Sequence, residues 1–172
     1  MRRKHLAAVI IGCLFGSSVF ADPNTQIRYD LTDLGPGRWE YTYEVSNINL
    51  AVPIEEFTIW FDYGLYQNLL ITTPDPPAGN WDEIVWQPEP LLWDDGGYDA
   101  IARNHSIGVG ENVHGFSVSF DWVGQGEPGP QHYEIVNPVT YNTIVSGYTV
   151  PEPLTVLLLG MGALIVHVRL KS

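Results

Sequence analysis

The sequence predicts an all-β protein. A single antiparallel β-sandwich domain over residues 22–149 is flanked by an N-terminal signal-peptide helix within 1–21 and a C-terminal transmembrane helix over 154–168. Three observations carry this prediction. Apolar residues of the body recur with period two, the repeat of a half-buried strand, and not with a sustained helical stripe. Clusters of Gly and Pro punctuate the alternating runs at short intervals. The body is also long enough to bury one hydrophobic core and too short for a second.

The N-terminal element comes first. Met1-Arg2-Arg3-Lys4-His5 is a basic leader, residues 6–15 form an apolar stretch, and Val19-Phe20-Ala21 supplies small residues for cleavage before Asp22. Ile10-Ile11-Gly12-Cys13 loosely fits a lipoprotein box, but the apolar run ahead of it is short and the better cleavage site lies beyond. Cleavage after Ala21 would remove Cys13, the single cysteine, and leave a mature body without disulfide, thiolate nucleophile or cysteine metal site.

Strands follow along the body. Trp39, Tyr41, Tyr43 and Val45 alternate with Arg38, Glu40, Thr42 and Glu44, which places the aromatic set on one face. Phe57, Ile59 and Phe61 alternate with Thr58, Trp60 and Asp62, and Phe116, Val118, Phe120 and Trp122 with Ser117, Ser119 and Asp121. Weaker alternation predicts strands at 27–31, 48–52, 84–87, 101–107, 132–136 and 143–148, with a short helix at 63–70. Turns are expected at Gly35-Pro36-Gly37, over 73–80, at Asp94-Asp95-Gly96-Gly97 and over 124–130.

Charge excludes one class of partner. Residues 22–149 hold three arginines, no lysine and 19 carboxylates, a net charge of −16. Such a surface repels nucleic acid and attracts divalent cations.

The tail is the most specific stretch. Val150-Pro151-Glu152-Pro153 breaks the chain ahead of an apolar run without carboxylates, and Arg169 and Lys171 close it as a basic stop. About 15 helical residues span roughly 22 Å, short of the usual spanning helix of about 20 residues, so tilt, bilayer thinning or transient residence has to accommodate the crossing. The positive-inside bias keeps Arg169 and Lys171 cytoplasmic.

Val150, Pro151, Glu152, Pro153, the apolar run and the basic pair together resemble the PEP-CTERM sorting signal of Gram-negative, exopolysaccharide-producing bacteria. The resemblance covers the last 23 residues. It implies that Pro-Glu-Pro is read by a membrane-embedded exosortase, which cuts the tail and passes the protein to the surface or matrix. Family tails end in a denser arginine cluster than Arg169 and Lys171 provide, and His167 stands within the helix here. Pro88-Glu89-Pro90 repeats the tripeptide without an apolar helix behind it. The order of Tyr29-Asp30-Leu31, Gly37-Arg38-Trp39-Glu40-Tyr41 and the run 115–120 also looks like the β-sandwich bodies that often carry this tail.

These signals imply an exported, non-catalytic component of the cell surface or biofilm matrix. Its partners would be signal peptidase, an exosortase-type enzyme and the membrane that holds the C-terminal helix of an inner-membrane precursor. A carbohydrate-binding module is the alternative, with exopolysaccharide stacking on exposed Trp60, Trp81, Trp86 and Trp93, against the ordinary use of such rings as core. Asp94, Asp95 and Asp99 are candidate Ca²⁺ ligands without EF-hand spacing, and no other cofactor is expected. His105, His114 and His132 are too scattered to read as a zinc site. A glycan-acting hydrolase, drawing on Glu55, Glu56, Asp94, Asp95 and Glu134, is the third reading, since two carboxylates suffice for that chemistry. No G-x-S-x-G motif and no Gly-rich phosphate loop occurs.

Overall fold

A computed structural model describes residues 24–152. The signal-peptide segment 1–21, Pro153, the apolar run 154–168, Arg169 and Lys171 lie outside the described residues. Among the described residues no helix is long and apolar enough to cross a membrane.

Among the described residues ten strands occur in chain order: β1 (Thr25–Gly35), β2 (Arg38–Asn47), β3 (Glu56–Phe61), β4 (Tyr66–Ile71), β5 (Trp81–Trp86), β6 (Gly96–Ala102), β7 (Asn112–Trp122), β8 (His132–Val136), β9 (Thr143–Tyr148) and β10 (Val150–Pro151). They form two five-stranded sheets, ordered β10-β1-β2-β7-β4 and β5-β6-β3-β8-β9. All pairings are antiparallel except that of β10, which runs parallel to β1 at the sheet edge. Pro151 lacks a ladder donor, and an edge strand tolerates that.

The period-two faces meet between the sheets. Tyr41, Tyr43, Val45, Phe57, Ile59, Phe61, Phe116, Val118 and Phe120 are fully buried there. Aromatic edges and faces interlock across the gap: Phe57 meets Phe116 edge-on at 4.9 Å, and Phe61 meets Tyr66 likewise at 5.1 Å. The buried tyrosines need partners for their hydroxyls. Tyr41 donates to the Gly129 carbonyl at 2.7 Å, and Tyr98 donates to Glu83 Oε2 at 2.5 Å. Gln131, itself buried, donates from Nε2 to the Tyr41 hydroxyl and to Tyr66 Oη at 3.1 Å.

Four expectations are corrected. The segment 63–70 is not a helix but a turn followed by β4. Its three-residue spacing of buried Tyr66 and Leu69 comes from a bulge, where Asn68 takes a φ of 53° and inserts an extra residue between paired Gln67 and Leu70. The segment 48–52 is not a strand, because Asn47 folds the chain back on itself. Its amide donates to the Val52 and Ile107 carbonyls at 3.0 and 3.1 Å, and its Oδ1 accepts from the Leu50 N–H at 2.9 Å. Finally, Gly96 and Gly97 are not turn residues but open β6, which ends at Ala102, so 103–107 is not strand either.

Candidate functional site

The outer face of the second sheet carries the aromatic cluster. Because Phe57, Ile59 and Phe61 point into the core, the pleat turns Trp60 outward on β3. Trp60, Gly97 and Trp86 share one register row across β3, β6 and β5. With no side chain at Gly97, the two indoles close over the gap and meet edge to face at 5.5 Å and 74°. Both remain half-buried, so part of each ring is open to solvent.

The loop after β5 builds one wall of this site. Gln87 anchors it, its amide exchanging two 2.8 Å hydrogen bonds with the backbone of Leu69 on β4 of the other sheet. Buried Pro88 packs over Gly96, where a Cβ would lie 2.6 Å from the ring. A bridge between Glu89 and Asp94 closes the loop, leaving Leu91, Leu92 and Trp93 at an exposed tip. Trp93 is 76% exposed, holds a φ of 64° and lies 5.9 Å from the Tyr63 ring. Asp95 Oδ1 accepts the Tyr63 N–H at 3.0 Å and ties the two loops together.

Two open clefts flank Trp60. One, about 540 Å³, is lined by Trp60, Trp86, Gln87, Glu89, Asp94 and Asp95. The other, about 370 Å³, extends from Trp60 and Asp95 to Tyr66, Trp122, His132 and Tyr148. The first joins two aromatic edges to three carboxylates, while the Gln87 amide is already committed to Leu69. Its side chains therefore offer indole rings with their Nε1–H groups and, on Glu89, Asp94 and Asp95, hydrogen-bond acceptors, so a matching ligand brings apolar surface to the rings and donors to the carboxylates.

The sequence candidates divide accordingly. Trp60 and Trp86 come together, and Trp93 stands exposed at the tip of the loop after β5. Trp81 is the correction: it is 2% exposed and packs against Phe57 and Phe116 at 5.7 and 5.2 Å as a core residue. Asp94 and Asp95 line the cleft, but Asp99 does not join them. It is buried within β6, where it accepts a 2.7 Å hydrogen bond from Thr58. Burial raises its carboxyl above the ordinary range, with the Thr58 bond opposing. Glu56, outward on β3, is also raised, by burial and then by Asp99, and its Oε2 has no hydrogen-bond partner.

The Val150-Pro151-Glu152 stretch begins inside the fold. Val150 pairs with Arg28 and Pro151 with Tyr29, and the Glu152 N–H donates to the Tyr29 carbonyl at 3.0 Å. Sequence reasoning missed two features here. One is the role of Gly97, hidden in what read as a turn. The other is the approach of Glu152 to Asp30 and His114, whose potential ligand atoms all lie within 4.8 Å of one another. Positions 30, 114 and 152 share no local pattern, so only the strand order could have joined them.

No protein-family model matches the chain, and no curated protein matches it by sequence. Among solved structures it is similar to the cohesin module of a family 33 glycoside hydrolase from Clostridium perfringens, with 9% identity, a TM-score of 0.43, and coverage of 76% of this chain and 98% of that one. It is also similar to a chain of a type I cohesin–dockerin complex from Clostridium thermocellum, with 13% identity, a TM-score of 0.37, and coverage of 74% and 99%. Likenesses this distant assign no role to any residue of the site.

Proposed function

We propose that the protein is an exported, non-catalytic component of the cell surface or extracellular matrix that holds polysaccharide on the Trp60–Trp86 platform. The observation that carries the glycan contact is the meeting of those two indoles over Gly97, beside Glu89 and Asp94. Sugar rings present apolar C–H faces to aromatic rings and hydroxyl donors to carboxylates. Acceptors without a guanidinium select neutral or amino sugars and repel uronic acids. Export and sorting are supported by the basic leader, and by Pro151-Glu152-Pro153 with its apolar run and basic stop. Signal peptidase and an exosortase-type enzyme are the processing partners in this reading.

Affinity gel electrophoresis against the host's own polysaccharide tests the platform. Retardation by a neutral or amino-sugar polymer, lost in Trp60→Ala and Trp86→Ala and kept in Tyr141→Ala, a change at an exposed ring outside the cleft, is the expected result. Equal migration of all four proteins, with and without polymer, would remove the glycan reading.

A further inference from the structure

We propose that Asp30, His114 and Glu152 form a zinc site that clips the start of the tail to the first sheet. The three side chains come from separate places: Asp30 from β1, His114 from β7 and Glu152 from just beyond β10. Their potential ligand atoms nevertheless lie within 4.8 Å of one another. The backbone explains the meeting. Parallel pairing of Val150 with Arg28 and Pro151 with Tyr29, continued by the Glu152 N–H to the Tyr29 carbonyl, sets Glu152 beside Asp30. On the other side, the register of β2 and β7 shifts between Tyr43 and Glu44, and Gly115 takes a φ of 107° next to His114.

Two carboxylates at this range repel each other unless a cation stands between them. Among the described residues no guanidinium does so. Arg28, Arg38 and Arg103 pair instead with Glu44, Asp121 and Asp82, at 3.2, 2.9 and 2.6 Å. His114 adds a nitrogen donor to the two carboxylates. One imidazole and two carboxylates make a set that zinc accepts, with water as fourth ligand, whereas Ca²⁺ takes six to eight oxygens. Bonds near 2.0 Å would draw the donor atoms closer than 4.8 Å, which rotation of the exposed His114 and of the half-buried Asp30 and Glu152 side chains can supply. His114 is exposed and leaves the ion a path of entry, and the acidic body concentrates cations around it. Glu152 belongs to the sorting tripeptide, so a bound ion would hold that tripeptide against β1. This last consequence rests on the sorting reading; the metal site itself does not.

The test is equilibrium dialysis of the full chain in detergent, stripped with a chelator and then exposed to zinc. One zinc per chain is expected, with affinity lowered by about ten-fold or more in His114→Ala and in Asp30→Asn. His105→Ala, a change at an exposed histidine outside the trio, should bind as the parent does. Cobalt in place of zinc should give visible absorption that His114→Ala abolishes. No zinc uptake, or undiminished uptake in His114→Ala, overturns the proposal. His114→Ala leaves Pro151-Glu152-Pro153 intact, so zinc uptake and tail processing are separate readouts, and either reading can fail alone.

Discussion

Trp86 lies across Gly97 so closely that a Cβ on the glycine would sit 2.0 Å from its ring. No side chain fits beneath the indole, and Gly97→Ala must push Trp86 off the strand. The half-buried Trp86 has solvent to move into, so the fold survives. The expected result is red-shifted tryptophan emission and a loss of polysaccharide retardation matching that of Trp86→Ala. Unchanged emission would mean that the ring does not rest on Gly97.

The tryptophans should separate sharply in stability. Trp81 is wedged between Phe57 and Phe116, and Trp81→Ala should cost about 3–5 kcal/mol in urea unfolding. Trp93 is exposed and strained at positive φ, where glycine is at ease. Trp93→Gly should therefore stabilise by about 1 kcal/mol. A loss of stability there would show that Trp93 is held by more than the Tyr63 ring.

Much of this fold was legible because alternation reports directly on which face is buried. His132–Val136 and Thr143–Tyr148 emerge with the expected bounds, and the inward sets of β2, β3 and β7 are the core. Failures occurred where one residue changed the phase or the context. Asn68 imitated a helical spacing through a bulge, and Gly96-Gly97 imitated a turn while serving as the floor beneath Pro88 and Trp86. Trp81 directly follows the Pro-rich turn over 73–80, and nothing local marked it as core. The platform itself depends on register across three strands, which no single stretch of sequence encodes.

Acid should stabilise the protein before it unfolds it. Glu56 and Asp99 have carboxyls raised above their ordinary 4.5 and 3.8, both chiefly by burial. A raised acid binds its proton more tightly in the folded state, so its destabilising contribution is present at neutral pH and relieved as pH falls through the folded value. Asp121 has the opposite sign. Hydrogen bonds from Asn68 and then Arg38 lower its carboxyl below 3.8, so its stabilisation holds above that value and is lost as pH falls through the folded one. The urea midpoint should accordingly rise from about pH 7 to about pH 5 and fall in stronger acid. Glu56→Gln should raise the midpoint at neutral pH and flatten that rise. A midpoint that drops steadily from neutral would remove this account.

Sorting can be read from the mass of the protein in its native host. If Pro151-Glu152-Pro153 is a recognition element, the parent chain should yield a species beginning near Asp22, ending near Pro151 and found outside the membrane. Glu152→Ala should leave the tail attached and the protein in the membrane fraction. Val150 and Pro151 are paired to β1, so a processing enzyme must either reach the tripeptide at the sheet edge or peel β10 away. Of the two, peeling alone makes the rate of cutting depend on the β10 pairing. Tyr29→Ala would loosen that edge by removing a buried ring, and faster processing in this variant would favour peeling. Full-length protein retained in the membrane by both the parent and Glu152→Ala would instead make residues 154–168 an anchor and remove the sorting reading.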